Sequence, residues 1–198
     1  KKVVTMSLIS FTALALLGVA SPALAAAPSP AVFAGEEAHG RLTWFAGTFD
    51  EAIVQAKAKN QILFVDFWTS WCGWCKRLDK DTFSNDTVVA EMKDILCLSV
   101  DAESKAGAPL AARFGVRGYP ALLVLDFDGT KRGQIGGYLA PEDFKREIRR
   151  MRALGSMAEL RREVAQKEND IELRWKLAQR LSEQGDEAGA KRENEAIQ

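Results

Sequence analysis

The chain has 198 residues, which is enough for one domain of ordinary size with extensions. Its 27 basic and 27 acidic residues cancel, and no basic block stands out, so the charge argues against a nucleic-acid partner or an anionic membrane surface. Three cysteines are too few for a fold held together by disulfides. The single histidine, His39, precedes the predicted domain, which argues against Cys–His or Ser–His catalysis and against a Cys/His metal site.

The N-terminus has the pattern of an export signal. Lys1 and Lys2 precede an apolar run from about Met6 to Ala20, and a cluster of alanines follows. A positive start, a short apolar region and small residues in an A-x-A pattern predict a signal peptide over residues 1–25. An uncleaved membrane anchor is the alternative, because the run is nearly long enough to span a bilayer. Export would place the thiols in an oxidising compartment.

The next stretch, residues 26–41, contains proline, alanine and glycine and predicts a linker. His39 lies in it and is interpreted as a solvated residue without a role. Beyond the linker, Thr48 to Glu51 form a capping-box pattern, which predicts a helix that continues to about Lys59.

A pair of cysteines follows a short apolar run. Gln61 to Phe67 is rich in β-favouring side chains and predicts a buried strand, interrupted by one acid, Asp66. A helix-like stretch begins at Cys72, with Cys75 one turn further along, so the two thiols lie on one side within disulfide reach. The start of a helix favours a thiolate at Cys72. Two such cysteines can cycle between dithiol and disulfide, which is redox chemistry.

The following segments alternate between strand and helix patterns. The predicted elements are a short helix ending at Met92, a strand over Ile95–Val100, a helix over Ala108–Phe114, strands over Ala121–Phe127 and Lys131–Gly136 joined by a tight turn at Asp128-Gly129, and a helix over Pro141–Met151. This order predicts an α/β domain over residues 42–153, with a mixed central sheet and helices on both faces.

The C-terminal residues 154–198 predict a helical extension. A capping box at Ser156 opens a helix to about Lys167, Asp170 caps a helix to about Gln184, and a last helix starts near Asp186. The spacing of small and apolar residues here weakly resembles one tetratricopeptide unit. Such units need neighbours, so we favour an extension that docks on the domain over an array that binds partners.

The stretch F-V-D-F-W-T-S-W-C-G-W-C-K over Phe64–Lys76 resembles the active-site signature of the thioredoxin superfamily. The resemblance covers roughly Leu42–Ala153 and includes Gly118-Tyr119-Pro120 at the place of that family's cis-proline. It implies a thioredoxin fold and a thiol–disulfide oxidoreductase with no cofactor beyond its own cysteines. One departure is Gly73-Trp74, which replaces the Gly-Pro of ordinary thioredoxins and leaves the redox potential open.

The resemblance also implies roles for the residues of the signature. Cys72 is the exposed nucleophile that attacks a substrate disulfide, and the more buried Cys75 then resolves the mixed disulfide. Asp66 occupies the place of the family's buried acid and is expected to accept the proton of Cys75. The alternative for Asp66 is a structural acid held by hydrogen bonds.

A substrate-binding surface is expected around the cysteine pair. By the resemblance it consists of Trp71, Gly73, Trp74, Tyr119 and Pro120, with the Tyr119 backbone free to pair with an extended substrate segment. Plain packing is an equal alternative for Tyr119, and Trp71 is interpreted as a structural residue at the rim.

The D-T-F-S-N-D pattern at residues 81–86 is similar to a subgroup of exported thioredoxin-like proteins. That subgroup includes the periplasmic C-terminal domain of the membrane protein that passes reducing electrons across the inner membrane. The similarity implies a periplasmic location, or an inner-membrane anchor with the domain facing the periplasm. It also implies that the partners are protein thiols or disulfides and a membrane redox protein. The similarity favours a reductase over a disulfide donor.

Three further alternatives concern the remaining features. Cys97, on a predicted strand, is expected to pack as a small hydrophobe, while a third redox role is the alternative. Copper(I) binding to the C-x-x-C pair lacks further soft ligands in the sequence. A non-catalytic binding module is the remaining alternative, but both cysteines and the buried acid argue for an enzyme.

Overall fold

The computed structural model describes residues 39–197, and a mixed four-stranded sheet lies at its centre. The strands are β1 (Leu63–Trp68), β2 (Leu96–Asp101), β3 (Ala121–Leu125) and β4 (Lys131–Gly136), in the spatial order β2-β1-β3-β4. β1 is parallel to β2 and antiparallel to β3, and β3 is antiparallel to β4. The predicted mixed sheet of a thioredoxin fold is confirmed.

Eight α-helices accompany the sheet in the described residues. They are α1 (Phe49–Lys59), α2 (Gly73–Leu78), α3 (Asp86–Met92), α4 (Gly107–Arg113), α5 (Pro141–Ala153), α6 (Met157–Gln166), α7 (Ile171–Glu183) and α8 (Glu187–Glu195). A π-helical turn, Asp79–Phe83, continues α2 without a break. Both predicted capping boxes are formed, at Thr48 before α1 and at Ser156 before α6.

Two hydrophobic clusters cover the two faces of the sheet. Because side chains alternate along a strand, Phe64 packs against α2, α3 and α5, whereas Leu63 and Val65 pack against α1 and α4. Asp66 lies two residues from Phe64 and therefore faces the layer that contains α2. This alternation places the only acid of β1 on the side of the sheet that carries the cysteines.

Several predicted strand boundaries differ by one or two residues from the structure, and two of these differences have a cause in the backbone hydrogen bonds. The first strand begins at Leu63 rather than Gln61, because the amide of Gln61 still donates to Ala56 at the end of α1 (2.9 Å). The third strand ends at Leu125, where the amide of Asp126 donates to the carbonyl of Thr130 (2.8 Å) and closes the hairpin.

The C-terminal helices α6, α7 and α8 bury a small core of their own. It consists of Met157, Leu160, Val164, Leu177, Leu181 and Ala190. The extension contacts the domain through polar groups: the amide of Met157 donates to Asp126 (3.0 Å), and the side-chain amide of Gln184 donates to the carbonyl of Lys131 (3.0 Å). The helical extension therefore docks on the hairpin formed by β3 and β4.

No helix within residues 39–197 has the length and apolar character needed to cross a membrane. The predicted signal peptide, residues 1–25, and most of the predicted linker lie outside the described residues.

The end of the predicted linker packs against the domain. His39 is only 7% exposed, its carbonyl accepts a hydrogen bond from the Trp44 indole (2.6 Å), and the amide of Arg41 donates to Phe83 (2.9 Å). The interpretation of His39 as a solvated residue without a role is therefore wrong in its first part. His39 and Arg41 make these contacts with Trp44 and with the π-helical turn. No local pattern in the sequence predicts them.

Candidate active site

A closed disulfide joins Cys72 and Cys75 at the start of α2, with the two Cα atoms 5.3 Å apart. Cys72 is the N-cap residue of the helix, and its Sγ accepts a hydrogen bond from the amide of Cys75 (3.1 Å). The loop after β1 thus delivers Cys72 to the unpaired amides at a helix start. Those amides stabilise negative charge on sulfur when the disulfide opens.

The two cysteines are almost equally buried in this oxidised form. Cys72 is 5% exposed and Cys75 is 4% exposed. The expected contrast between an exposed Cys72 and a buried Cys75 is therefore absent in the disulfide. Cys72 packs in one apolar cluster with Trp68 and Cys75, and Tyr119 packs against this cluster.

Asp66 is a buried carboxyl group without a cationic partner. It is 1% exposed, its Oδ1 atom has no hydrogen-bond partner within residues 39–197, and no lysine or arginine of that range forms an ion pair with it. Burial, and secondarily the charge of Asp79, raises the pKa of Asp66 well above its usual range. The side chain thus favours its protonated form to a much higher pH than an exposed aspartate.

Asp79 and His39 complete a cluster around Asp66 that the sequence did not reveal. Nδ1 of His39 lies 3.5 Å from Oδ2 of Asp79, and one nitrogen or oxygen atom from each of the three side chains lies within 4.8 Å of the others. Asp79 stands four residues after Cys75, a spacing that puts both on one helix face and could have indicated it. His39 has no such signal. The cluster contains neither a thiolate nor a thioether, the soft donors that select copper(I).

An aromatic pair borders one side of the cysteines. Trp71 is 67% exposed, its indole donates to Oε1 of Glu103 (3.0 Å), and its ring lies edge-on to Tyr119 with centroids 6.0 Å apart. The peptide bond from Tyr119 to Pro120 is cis. No backbone hydrogen bond among the described residues engages the amide or carbonyl of Tyr119, although its ring packs on the cysteines. Its side chain therefore packs while its backbone stays available.

A second aromatic pair involves Trp74, the residue that precedes Cys75 in the sequence. Trp74 is 56% exposed, and its ring centroid lies 5.7 Å from that of Tyr138. The Arg77 guanidinium lies over both rings, 5.6 Å from the centroid of Trp74 and 5.1 Å from that of Tyr138, and its Nε atom donates to Asp81 (3.1 Å). Arg77 and Tyr138 were not predicted. Arg77 contacts the Trp74 ring by a cation–π interaction, and Tyr138 packs against Trp74 ring to ring.

Gly73 lies between the two cysteines and stands clear of the rest of the molecule. A Cβ atom built there would meet nothing within 4 Å. Packing therefore does not require glycine at this position, and the approach to Cys72 from this side is open.

Cys97 is a free thiol buried in the core. It is 2% exposed, packs in the same cluster as Phe64, and its Sγ lies 3.6 Å from the carbonyl oxygen of Ile95. Burial raises the pKa of the Cys97 thiol to about 12, so the thiol stays protonated near neutral pH. These properties agree with the packing role expected for Cys97.

Comparison with known proteins places the domain in a family. A family model described as a thioredoxin-like domain matches residues 49–152. In solved structures, the fold is similar to a thioredoxin from Thermus thermophilus, with a TM-score of 0.53 and 23% identity over 60% of this chain and 92% of that one. This structural likeness supports the fold alone.

Two curated relatives carry the name thiol:disulfide interchange protein DsbD. The one from Ralstonia nicotianae is 32% identical over 110 residues, covering 54% of this chain. The one from Pseudomonas aeruginosa, DsbD 2, is 31% identical over 108 residues, covering 50% of this chain. In each case the match covers 18% of the relative's own length, so the chain corresponds to a small part of these larger proteins.

Proposed function

Since the chain belongs to the thioredoxin-like domain family, we propose that it is a thiol–disulfide oxidoreductase that exchanges its Cys72–Cys75 pair with protein thiols or disulfides. The single observation that carries this proposal is the disulfide at the start of α2, on the side of the sheet faced by the unpaired carboxyl group of Asp66. We assign the activity to residues 42–153 and regard residues 154–198 as an extension docked on that domain.

The first step of the reduction cycle is attack by Cys72. In the dithiol form, the Cys72 thiolate displaces one sulfur of a substrate disulfide, which leaves as a thiolate, and a mixed disulfide forms. The amide of Cys75, which donates to Sγ of Cys72 in the structure, stabilises the attacking thiolate. No proton transfer within the protein is needed for this step once Cys72 is ionised.

The second step is resolution by Cys75. Its thiol gives a proton to the Asp66 carboxylate, and the resulting thiolate attacks Sγ of Cys72. The Cys72–Cys75 disulfide forms, the second substrate sulfur leaves as a thiolate, and two electrons have passed to the substrate. Because burial and Asp79 raise the pKa of Asp66, its basicity lies closer to that of a thiol than an exposed carboxylate's does, which favours the proton transfer. The reverse sequence donates a disulfide.

Substrate binding uses the two aromatic borders and the free backbone between them. The unpaired backbone groups of Tyr119, next to Pro120, can pair with an extended substrate segment as an added strand would. Trp71 and Trp74, which flank Cys72 in the sequence, present exposed rings, and the open space at Gly73 admits the substrate sulfur. These features suit a polypeptide chain better than a small molecule.

The cellular setting is part of the proposal. The pattern of residues 1–25 supports export to the periplasm, or an inner-membrane anchor with the domain on that side. The similarity to part of proteins named DsbD, together with the D-T-F-S-N-D pattern, supports a reductant that receives electrons from a membrane redox partner.

A disulfide-reduction assay tests the activity. The reduced protein should catalyse dithiothreitol-driven reduction of insulin, while Cys72→Ser abolishes turnover and Cys75→Ser traps mixed disulfides. Turnover that does not exceed the dithiothreitol background would retire the enzyme proposal. It would favour the binding module instead, for which the exposed Ile171 (61%) and Trp175 (53%) on α7 offer a surface.

An equilibrium redox titration tests the direction of electron flow. Reference potentials are about −270 mV for thioredoxin and about −120 mV for a strong periplasmic oxidant. We expect a midpoint near the reducing reference. A midpoint near the oxidising one would make the protein a disulfide donor.

A further inference from the structure

The chain just before the domain, residues 39–42, forms an N-terminal strap that is fixed against the π-helical turn. Gly40 has a φ of +61°, and a Cβ atom there would lie 2.5 Å from Cβ of Phe83 and 2.8 Å from the carbonyl oxygen of Asp79. Glycine at position 40 therefore permits a close approach that another residue would prevent. Together with the hydrogen bond from Arg41 to Phe83, this approach holds the preceding residue, His39, against the same turn that carries Asp79.

His39 is a polar side chain in an otherwise aromatic surrounding. Its ring lies 4.3 Å from the Trp68 indole and 6.1 Å from that of Trp44, measured between centroids. Within residues 39–197, neither ring nitrogen has a hydrogen-bond partner, and both are buried. Burying an imidazole without hydrogen bonds costs free energy, and an apolar residue would fill the space without that cost. The position of His39 therefore calls for a role that an apolar residue could not fulfil.

Among residues 39–197, the charged groups around His39 are two carboxyl groups and no cation. Asp79 faces it from the π-helical turn and Asp66 from β1, while Trp68 and Trp44 supply the remaining walls. Beside Asp66, β2 contributes the neutral Ser99. No lysine or arginine of the described residues forms an ion pair with either carboxyl group of this cluster. The three groups can therefore exchange a proton without competition from a fixed positive charge.

Exposure increases in steps through the cluster. Asp66 is 1% exposed, His39 is 7% exposed, and the Asp79 side chain is 17% exposed. The ligand atoms of the three side chains lie within 4.8 Å of one another. A proton can pass over such a distance through a direct hydrogen bond after a small side-chain movement, or through one bridging water. Only Asp79 among the three has appreciable access to solvent, so a proton taken up at Asp66 leaves the core most easily in its direction.

We propose that His39 assists the resolving step as a positioning residue that acts through Asp66. Its imidazole ring passes the proton of Cys75 from Asp66 to Asp79, and Asp79 releases the proton to solvent. The inference rests on the proposed oxidoreductase function and adds a path for its proton. Cys75 gives its proton to Asp66, one ring nitrogen of His39 takes it up, and the other gives a proton to Asp79. The ring ends neutral, Asp66 is again a carboxylate, and one proton has left for each disulfide closed.

Single-turnover oxidation by dithiobis(nitrobenzoate) separates the two chemical steps. The first coloured thiolate is released when Cys72 attacks, and the second when Cys75 resolves the mixed disulfide; Cys75→Ser gives the first release alone. The test compares the full chain carrying His39→Gln, which keeps a polar side chain but cannot relay a proton, with Arg41→Gln. Arg41 lies in the same strap but forms an exposed ion pair with Asp86. Both releases are measured across a series of pH values.

We expect His39→Gln to slow the second release by about tenfold and to change the shape of its pH profile, while the first release is unaffected. This is less than the about 10²–10⁴-fold that direct proton transfer contributes. Arg41→Gln should leave both releases unchanged. If His39→Gln slows both releases equally, or leaves the pH profile of the second release unaltered, His39 serves packing only and the proposal is wrong.

A second variant protects the test from misfolding. Asp79→Asn interrupts the same path without altering the packing of His39 on Trp68, and it should also change the pH profile of the second release. A normal profile in Asp79→Asn would contradict the path. Failure of the proposed function is distinguishable, because the wild-type protein would then give no second release and no turnover of insulin.

Discussion

Two buried aspartates occupy opposite regions of the molecule, and their surroundings differ completely. Asp66 and Asp126 are each 1% exposed. At the extension, Oδ1 of Asp126 forms an ion pair with Arg132 (2.5 Å), and Oδ2 accepts the amide of Met157 at the start of α6 (3.0 Å). At the cysteine pair, Asp66 has no cation, one oxygen without a partner, and a second carboxyl group as its charged neighbour.

The comparison separates a buried aspartate that stabilises the fold, Asp126, from one that is suited to proton transfer, Asp66. Buried polar groups are normally satisfied by hydrogen bonds, and a buried charge is normally paired. Asp126 follows that rule and joins the domain to its extension. Asp66 violates it, and its surroundings favour the protonated carboxyl group. Because the pKa of Asp66 is raised toward that of a thiol, Asp66 exchanges a proton with a buried thiol more readily than an exposed carboxylate would.

The largest effect we predict is on the rate of resolution in Asp66→Asn. Asparagine keeps the shape of the side chain but cannot accept the proton of Cys75, so the resolving step should slow by about 10²–10⁴-fold. The attack by Cys72 should change much less, as it should in Asp66→Ala. Rapid-mixing kinetics of the two thiolate releases measure both steps. Equal slowing of attack and resolution would remove Asp66 from its role as proton acceptor.

The next largest effect concerns stability at the opposite region. Asp126→Ala leaves Arg132 buried without its partner, and breaking a buried ion pair in this way costs about 3–5 kcal/mol. Urea unfolding should show this loss in the free energy of unfolding. Replacing both partners with apolar residues, Asp126→Leu and Arg132→Met, should recover most of it. The rate of thiol–disulfide exchange in the folded Asp126→Ala protein should match that of the wild type. If its resolving step were slowed as in Asp66→Asn, the two aspartates would not differ in function.

A smaller effect is expected in the pH dependence of stability. The pKa of Asp66 is raised by folding, so the folded state binds more protons than the unfolded state between the two pKa values. Its contribution to stability is therefore present below the unfolded pKa and is lost as the pH rises through the folded pKa. In that window the free energy of unfolding should fall by up to about 1.4 kcal/mol per pH unit.

Asp66→Asn tests this dependence because asparagine does not titrate. Its free energy of unfolding, measured by urea denaturation of the oxidised protein, should lack this fall and exceed the wild-type value at the upper end of the window. Parallel curves for the two proteins would show that Asp66 has the same proton affinity in both states.

The smallest effect compares one helix cap from each region. Ser156 caps α6 beside Asp126, and Thr48 caps α1 in the domain, both through capping boxes. Alanine at either position should lower the free energy of unfolding by about 1 kcal/mol, because an amide at the helix start loses its partner. Only Ser156→Ala should also increase hydrogen exchange at the amide of Met157. Similar exchange at Met157 in both variants would mean that α6 docks independently of its cap.

The elements that the sequence predicted best depend on local patterns. The capping boxes at Thr48 and Ser156 and the two-cysteine spacing after an apolar run are properties of neighbouring residues. The alternation of Leu63, Phe64 and Val65 between the two core clusters follows from the strand period in the same way. Their physical causes act over one or two turns of chain, so the sequence alone displays them.

The features that the sequence missed depend on contacts between distant segments. His39 is buried only because Gly40 allows a close approach to Phe83, more than forty positions further along the chain. The cluster that buries both cysteines also includes Tyr119, which comes from the distant segment before β3. Asp79 could have been predicted from the sequence, since it follows Cys75 by one helical turn. Its partner His39 has no such local relation to the cysteines.

The most direct test of the account is the titration of the Asp66 carboxyl group itself. Carbon NMR of protein labelled at the aspartate side-chain carboxyl follows each group against pH, and the signal absent from Asp66→Asn identifies Asp66. We predict that this signal titrates well above the usual pKa range of aspartate, because the carboxyl group is buried beside Asp79 without a lysine or arginine partner. A pKa at or below the usual range would contradict it, and would make Asp66 a structural acid like Asp126.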